Sequence, residues 1–501
     1  MKKNIRSLSN FFSSSMTRIF RGESLFTRAT RGGIWLGTGS AIEQALRLAR
    51  NMIIARVITP EAFGVMAIVL AVSSALESFT DIGIKSAVIQ NADGQEETFL
   101  NAAWWLSMAR SVGLYLTAYA VSPWISGFYS MPGLTPLMRI AFLSIIFNGA
   151  LSAGLYLAFK KMDFKSWVIV NLGGCIFGVI TAVILVFYIQ DVWALVAGFT
   201  VESAARCFLS FIVSFYPPGL RFNRIHLNSI LRFARGVFGL PILTNIFLQI
   251  DVFIIGKFCT PKELGLYSIA AAFARIPFQM VGTLIGQVAM PVFAEMQEEK
   301  KRSNAVILKI TYVLSFLGFP MLLYMMLYSR ELLTVLYGER YGDAALPFAI
   351  LMMTSFLRIV NVPIVTYYFA IGRPEIHRLA TALRTLMIII IIYPAVKYFG
   401  VIGGAAASLI SMFFGHIVQV FQVRGTSDLD LWQYGSIFLK PSAVSILVAL
   451  VWLSTYNLFS HLPILNITIG AFGCMATYIL TIAFFMKYRK DSGFVKFIGR
   501  T

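Results

Sequence analysis

Charged side chains stand inside long apolar stretches at Glu43, Arg47, Arg50, Glu77, Asp81, Arg110, Glu202, Arg206, Asp251, Arg275, Arg358 and Arg384. A charge at the centre of a bilayer is costly unless it meets a partner or a wet cavity, so each of these needs a reason. Glu43, Arg47 and Arg50 follow i, i+4, i+7 spacing and share one stripe of a helix; Glu202 and Arg206 repeat the i, i+4 pairing. Both pairs read equally well as internal salt bridges that let a helix insert and as parts of a polar path. Arg50, Arg275, Arg358 and Arg384 have no acid three or four residues away on their own helix. Their charge must be met by another helix or by a ligand. Guanidinium keeps its charge at any physiological pH and donates paired hydrogen bonds from a planar fork, which suits an anionic ligand. Arg47, Arg50, Arg275, Arg358 and Arg384 are therefore the candidate substrate-binding cations of an anion-accepting cavity. Glu43, Asp251, Glu202 and Arg206 are the candidates for ion coupling or ion pairing. Asp251 shares a polar stripe with Thr244 and Gln249, and either pairs with a cavity arginine or titrates with a coupled ion.

Other chemistries find little support. The four cysteines, Cys175, Cys207, Cys259 and Cys474, are isolated, with no C-x-x-C spacing, and the four histidines, His226, His377, His416 and His461, are not spaced as ligands. Neither a metal centre nor a cofactor site is expected. The formal charge of +19 is scattered among gaps between apolar stretches and forms no continuous face, so nucleic acid is not an expected partner. Catalysis on glycans at the membrane usually needs a sizeable outer loop or a cluster of loop carboxylates and histidines. The longest outer loop expected here, about residues 329–343, has room only for a turn or an interfacial helix, and an enzyme is not expected.

The elements that position these residues follow from composition. The chain has 501 residues, 58% hydrophobic and 13% charged, against about 45–50% and about 25% in soluble domains. Apolar stretches of about twenty residues recur throughout, each long enough to cross a hydrocarbon core of about 30 Å. The fold class is all-α: a polytopic membrane protein of about fourteen helical spans, near 33–58, 63–90, 99–122, 134–159, 166–189, 192–215, 233–258, 264–292, 304–328, 344–371, 376–397, 400–421, 438–459 and 464–486. Lysine and arginine gather in alternate loops and in both tails, among them Lys160, Lys161 and Lys165, then Lys300, Lys301 and Arg302. That bias puts both termini in the cytoplasm and requires an even number of spans. Residues 1–31 read as a cytoplasmic basic arm lying on membrane lipid, 32–220 as a first lobe, 221–424 as a second, and 425–501 as two further spans with a cytoplasmic tail.

An internal repeat appears at an offset of 201 residues: Ile53/Ile254, Ile54/Ile255, Thr59/Thr260, Pro60/Pro261, Gly64/Gly265, Ile68/Ile269 and Ala71/Ala272 are identical, and Arg56 matches Lys257 in charge. The offset covers an even number of crossings, so the two copies share one orientation. Asp251 falls at the position equivalent to Arg50.

The stretches "ARVITPEAFGVMAIVLAVSSALESFTDIGI", "GKFCTPKELGLYSIAAAFARIPFQMVGTLIGQVAMPVFAEM", "GRPEIHR" and "GVIGGAAASLI" resemble oligosaccharide flippases of the polysaccharide transporter family (Wzx-type). That family shares a superfamily with lipid II flippases and with multidrug and toxin extruders, and the resemblance runs from about residue 31 to 486. It implies two six-helix lobes around a cavity open alternately to either side, with two extra helices after them. It also implies transport, in the bacterial inner membrane, of an undecaprenyl-pyrophosphate-linked oligosaccharide for exopolysaccharide, capsule or O-antigen assembly. The alternative in the same class is a lipid II flippase. A cation extruder would want a cavity dominated by carboxylates, which the arginine excess opposes, and a glycan polymerase is opposed by the short loops. A polysaccharide polymerase is left as a candidate partner.

Overall fold

The computed structural model describes residues 25–79, 83–221, 223–237, 239–297, 299–456 and 463–488. Most of the expected basic arm, Asp81, His461 and the last residues of the tail lie outside them. The described residues form helices and connecting turns with no strand. In chain order these are α1 (Leu25–Val57), α2 (Pro60–Phe79), α3 (Ile84–Gln90), α4 (Glu97–Tyr129), α5 (Leu134–Ala141), α6 (Leu143–Gly149), α7 (Ala153–Lys160), α8 (Phe164–Ile189), α9 (Val192–Val213), α10 (Arg224–Val237), α11 (Leu240–Phe258) and α12 (Pro261–Glu295). There follow α13 (Lys300–Leu327), α14 (Ser329–Tyr337), a 3-10 turn (Glu339–Ala344), α15 (Ala345–Ala370), α16 (Pro374–Ser427), α17 (Leu431–Tyr456) and α18 (Pro463–Tyr488).

The protein is an all-α polytopic membrane protein. Among the described residues, eight helices are long and apolar enough to cross a membrane, or nine if the bent pair 134–149 and 153–160, turned by 54°, is one span. The reading of about fourteen exceeds this in part because α1 is long but carries Glu43, Arg47, Arg50 and Arg56 along its length. In addition, α16 is one continuous run of 54 residues in which Gly400 (φ 56°, ψ −138°) breaks the helical path. Only glycine adopts that backbone without strain, so two limbs of about 39 Å each, both long enough to span, are joined with no loop between them.

Local chemistry sets the helix starts. Thr260 Oγ1 accepts from the Glu263 amide at 3.3 Å while the Glu263 carboxylate accepts from the Thr260 amide at 2.8 Å, a reciprocal cap on α12, with Pro261 in the first turn where its missing N–H costs nothing. Asp191 caps α9 and Asp163 caps α8. Small residues then let helices approach. Gly178 of α8 and Gly198 of α9 face each other's carbonyls, which brings α8 and α9 together along most of their length.

The two copies of the repeated Thr-Pro-x-x-x-Gly segment pack directly on one another. A Cβ on Gly64 would meet the carbonyl oxygen of Pro261, and a Cβ on Gly265 would meet that of Pro60, so α2 and α12 cross backbone on backbone. Around this crossing one apolar core runs from Ile54, Ile58 and Val69 in the first half to Tyr267, Phe348 and Val360 in the second.

Candidate functional site

The intramembrane charges fall into two groups held by different helices. The first joins α1 to α9. Arg47 donates to Glu43 at 2.9 Å and to Glu202 at 2.5 Å, Arg206 pairs with Glu202 on its own helix, and Arg206 also lies 3.6 Å from Glu43. Glu202 is 3% exposed, beneath α8, whose Gly174 leaves room for the Arg206 side chain. Two carboxylates and two guanidinium groups thus neutralise one another, so the within-helix pairs expected from spacing are joined across helices as well. Arg50, one turn further along α1, has among the described residues only the amide oxygen of Asn51, at 3.0 and 3.1 Å, as a hydrogen-bond acceptor.

The second group gathers Asp251 from α11, Tyr267 and Arg275 from α12, Arg358 from α15 and Arg384 from the first limb of α16. A small cavity of about 20 Å³ lies among these helices, lined by Phe247, Asp251, Arg275, Thr354, Ser355, Arg358 and Ser408. Asp251 is 5% exposed and accepts a 2.5 Å hydrogen bond from the Tyr267 hydroxyl. Among the described residues no arginine comes within ion-pairing distance of it. Phe247 carries two cations: the Arg384 guanidinium stands 4.4 Å and that of Arg358 5.5 Å from its ring centroid. The remaining contact of Arg384 is a long one to the Met412 sulfur, 3.7 Å, and its Nε is buried with no acceptor. Three guanidinium groups are therefore gathered near one carboxylate that a tyrosine, and none of them, engages.

Like charges held together in a low-dielectric setting raise each other's free energy, and an anion placed among them lowers it. The arrangement puts the guanidinium groups of Arg275 and Arg358 and the hydroxyls of Thr354, Ser355 and Ser408 on one small cavity, with Arg384 adding charge from beside Phe247. Among the described residues no group of histidine, cysteine and carboxylate side chains is placed to hold a metal ion.

Of the candidate cations, the structure brings together Arg275, Arg358 and Arg384, with Asp251 beside them. Arg47 lies elsewhere, bound to Glu43 and Glu202, next to Arg50. Phe247 and Tyr267 were not singled out from the sequence. Each is an aromatic residue in an apolar stretch, and only its neighbours distinguish it from core packing. The remaining histidines make ordinary buried contacts: His416 lies between Asn361 (3.2 Å) and the Tyr434 hydroxyl (3.3 Å), and His377 meets the Gln419 amide at 2.8 Å.

Residues 53–346 match the family model described as "Polysaccharide biosynthesis protein". The chain belongs to this family. Relatives of this polysaccharide biosynthesis protein include the lipopolysaccharide biosynthesis protein WzxC of Escherichia coli K12, 23% identical over 85% of this chain and 89% of that protein. The succinoglycan biosynthesis transport protein ExoT of Rhizobium meliloti is 25% identical over 60% of each chain. Among solved structures, the lipid II flippase MurJ in an inward closed conformation superposes with TM-score 0.75 at 16% identity, covering 91% of this chain and 99% of that one. An inward-facing multidrug transporter of the MATE family gives TM-score 0.63 at 14% identity, covering 77% and 96%. These structures share the fold of this family member.

Proposed function

We propose that this protein is a flippase that carries a lipid-linked oligosaccharide, with its pyrophosphate, from the inner to the outer leaflet of the cytoplasmic membrane for polysaccharide assembly. It works as a transporter, with no chemical step. Residues 32–220 and 221–424 act as two lobes of six spans that rock about one another, and the helices after 425 complete fourteen spans with both termini in the cytoplasm. The observation that carries the reading is the cluster in which Arg275 and Arg358 line the cleft beside Asp251 while Arg384 stands next to them over Phe247. A pyrophosphate brings the charge that this set lacks, and guanidinium forks replace the water it leaves behind. Membership of the polysaccharide biosynthesis family and the kinship with WzxC and ExoT support the oligosaccharide as cargo.

Lipid II is the second reading, favoured by the superposition on MurJ. Both cargoes carry a pyrophosphate, so the cleft serves either. Glycan export in cells lacking the native protein separates them. Restored surface polysaccharide with no rescue of peptidoglycan precursor transport supports the first reading, and the converse result supports the second. The cationic site is tested by Arg275→Ala and Arg358→Ala, with export normalised to the protein present in the membrane. Normal export by both variants at normal abundance removes this site from the mechanism.

A further inference from the structure

The repeat does more than duplicate a fold: its equivalent cations cross over. Arg56, near the end of α1, donates to the carbonyl oxygen of Val335 in the last turn of α14 at 2.9 Å. Lys257, its equivalent near the end of α11, donates to the carbonyl oxygen of Phe128 in the last turn of α4, with its ammonium 4.5 Å from the Phe128 ring centroid. Each cation thus leaves its own half of the chain and caps a helix end in the other half. Carbonyls in a last helical turn have no partner within the helix and carry the negative end of its dipole, so both are acceptors that a cation satisfies. A short way along the chain from each cation, Gly64 and Gly265 meet at the crossing where the backbones of α2 and α12 touch. Tyr129 adds a third link, its hydroxyl donating to the Phe253 carbonyl at 3.4 Å.

We infer that Arg56 and Lys257, arranged around the Gly64–Gly265 crossing, form a two-fold latch that holds the outer mouth of the cavity shut, and that their joint release opens it outward. The inference rests on the proposed topology and rocking motion, which put the ends of α1, α4 and α11 at the outer side. Physical economy favours such a latch. Two weak, exposed, polar contacts break without stranding a buried charge, whereas the glycine crossing supplies a close-fitting pivot face that any side chain would wedge apart. At the opposite end of α1 the contact with α12 is of another kind, Gly37 against the flexible Leu284 side chain, with no polar crossing described there.

The test uses the full chain with Thr354→Cys as a reporter in the cleft, labelled on intact cells by a membrane-impermeant maleimide and read by mass spectrometry of that peptide. Adding Arg56→Gln and Lys257→Gln together raises the labelling rate about tenfold, the population shift that two charge-assisted contacts carry. Arg56→Lys with Lys257→Arg leaves the rate near that of the parent. Gly64→Val, which wedges the crossing without touching either cation, raises it as well. An unchanged rate in the double glutamine variant, or a rise matched by the charge-conserving pair, overturns the latch. Labelling needs no substrate, so its outcome is independent of the cargo. A failed latch leaves the loss of export in arginine variants standing, and normal export in those variants leaves a latch-dependent labelling rate standing.

Discussion

The charge group around Glu202 and the one around Asp251 draw on the same charged residue types and are balanced differently. In the first, Glu43 and Glu202 match Arg47 and Arg206, and among the described residues the cation beyond that balance is Arg50. In the second, Asp251 is engaged by Tyr267 and three arginines are left facing a cleft or an aromatic ring. Asp251 and Arg50 occupy equivalent repeat positions, so the duplicated frame holds a base-type charge in one copy and an acid in the other. The difference teaches that intramembrane arginine alone says little: its acid count within reach separates a structural tie from a binding surface.

The largest expected effect breaks the balanced group. Glu202→Ala removes the buried acid of this group and leaves Glu43 alone to meet both Arg47 and Arg206, and removing one partner of a buried pair costs about 3–5 kcal/mol. The amount of folded protein in the membrane falls steeply, and adding Arg206→Met to Glu202→Ala restores much of it. A balanced group that bound substrate would behave otherwise, with normal abundance and lost export. Next comes the unbalanced group. Arg275→Ala or Arg358→Ala removes a donor to a charged ligand, worth about 1.5–3 kcal/mol, so export at fixed abundance drops more than tenfold. Lysine at either position rescues in part, because it keeps the charge and loses the fork. Abundance itself holds or rises, since one of several mutually repelling cations is gone. If alanine here depletes the protein as Glu202→Ala does, the contrast between the groups fails.

Much of this was legible in the sequence, and the boundary has a physical reason. Helical periodicity carried Glu43 with Arg47 and Glu202 with Arg206, because each pair lies on one helix. The bond from Arg47 to Glu202 spans 155 residues, and no local pattern encodes it. The repeat identified Pro60 with Pro261 and Gly64 with Gly265 as equivalent, but equivalence does not imply contact, and only the packing of α2 on α12 put them face to face. At Gly400 the sequence marked a gap between two spans, and the backbone there leaves the helical conformation at that single residue, kinking one limb against the next with no loop. The sequence marked Arg50, Arg275, Arg358 and Arg384 as cations lacking acids, of which the last three lie together and Arg50 lies in the other group. The partners of the cluster, Tyr267 on Asp251 and Phe247 under two guanidinium groups, were not legible. Aromatic residues in an apolar protein have too many ordinary uses for spacing to single them out.

The smallest expected effect sharpens the comparison from that hidden side. Phe247 is 3% exposed and holds Arg384 at 4.4 Å over its ring, so Arg384 has a stabilising neighbour although it lacks an acid. A cation over an aromatic face gains about 0.5–2 kcal/mol, depending on desolvation. Phe247→Leu keeps an apolar side chain of similar reach and deletes the ring, so the expected loss is a few-fold in export and little in abundance. The direction depends on where Arg384 goes. With the ring gone and Met412 its remaining contact, the guanidinium is drawn toward whatever anion occupies the cleft, and Arg384→Ala then costs more in the Phe247→Leu background than in the parent. The measurement is a double-mutant cycle on export at equal protein level. Additive effects would mean that Phe247 does no more than fill space between α11 and α16 and does not hold the Arg384 guanidinium.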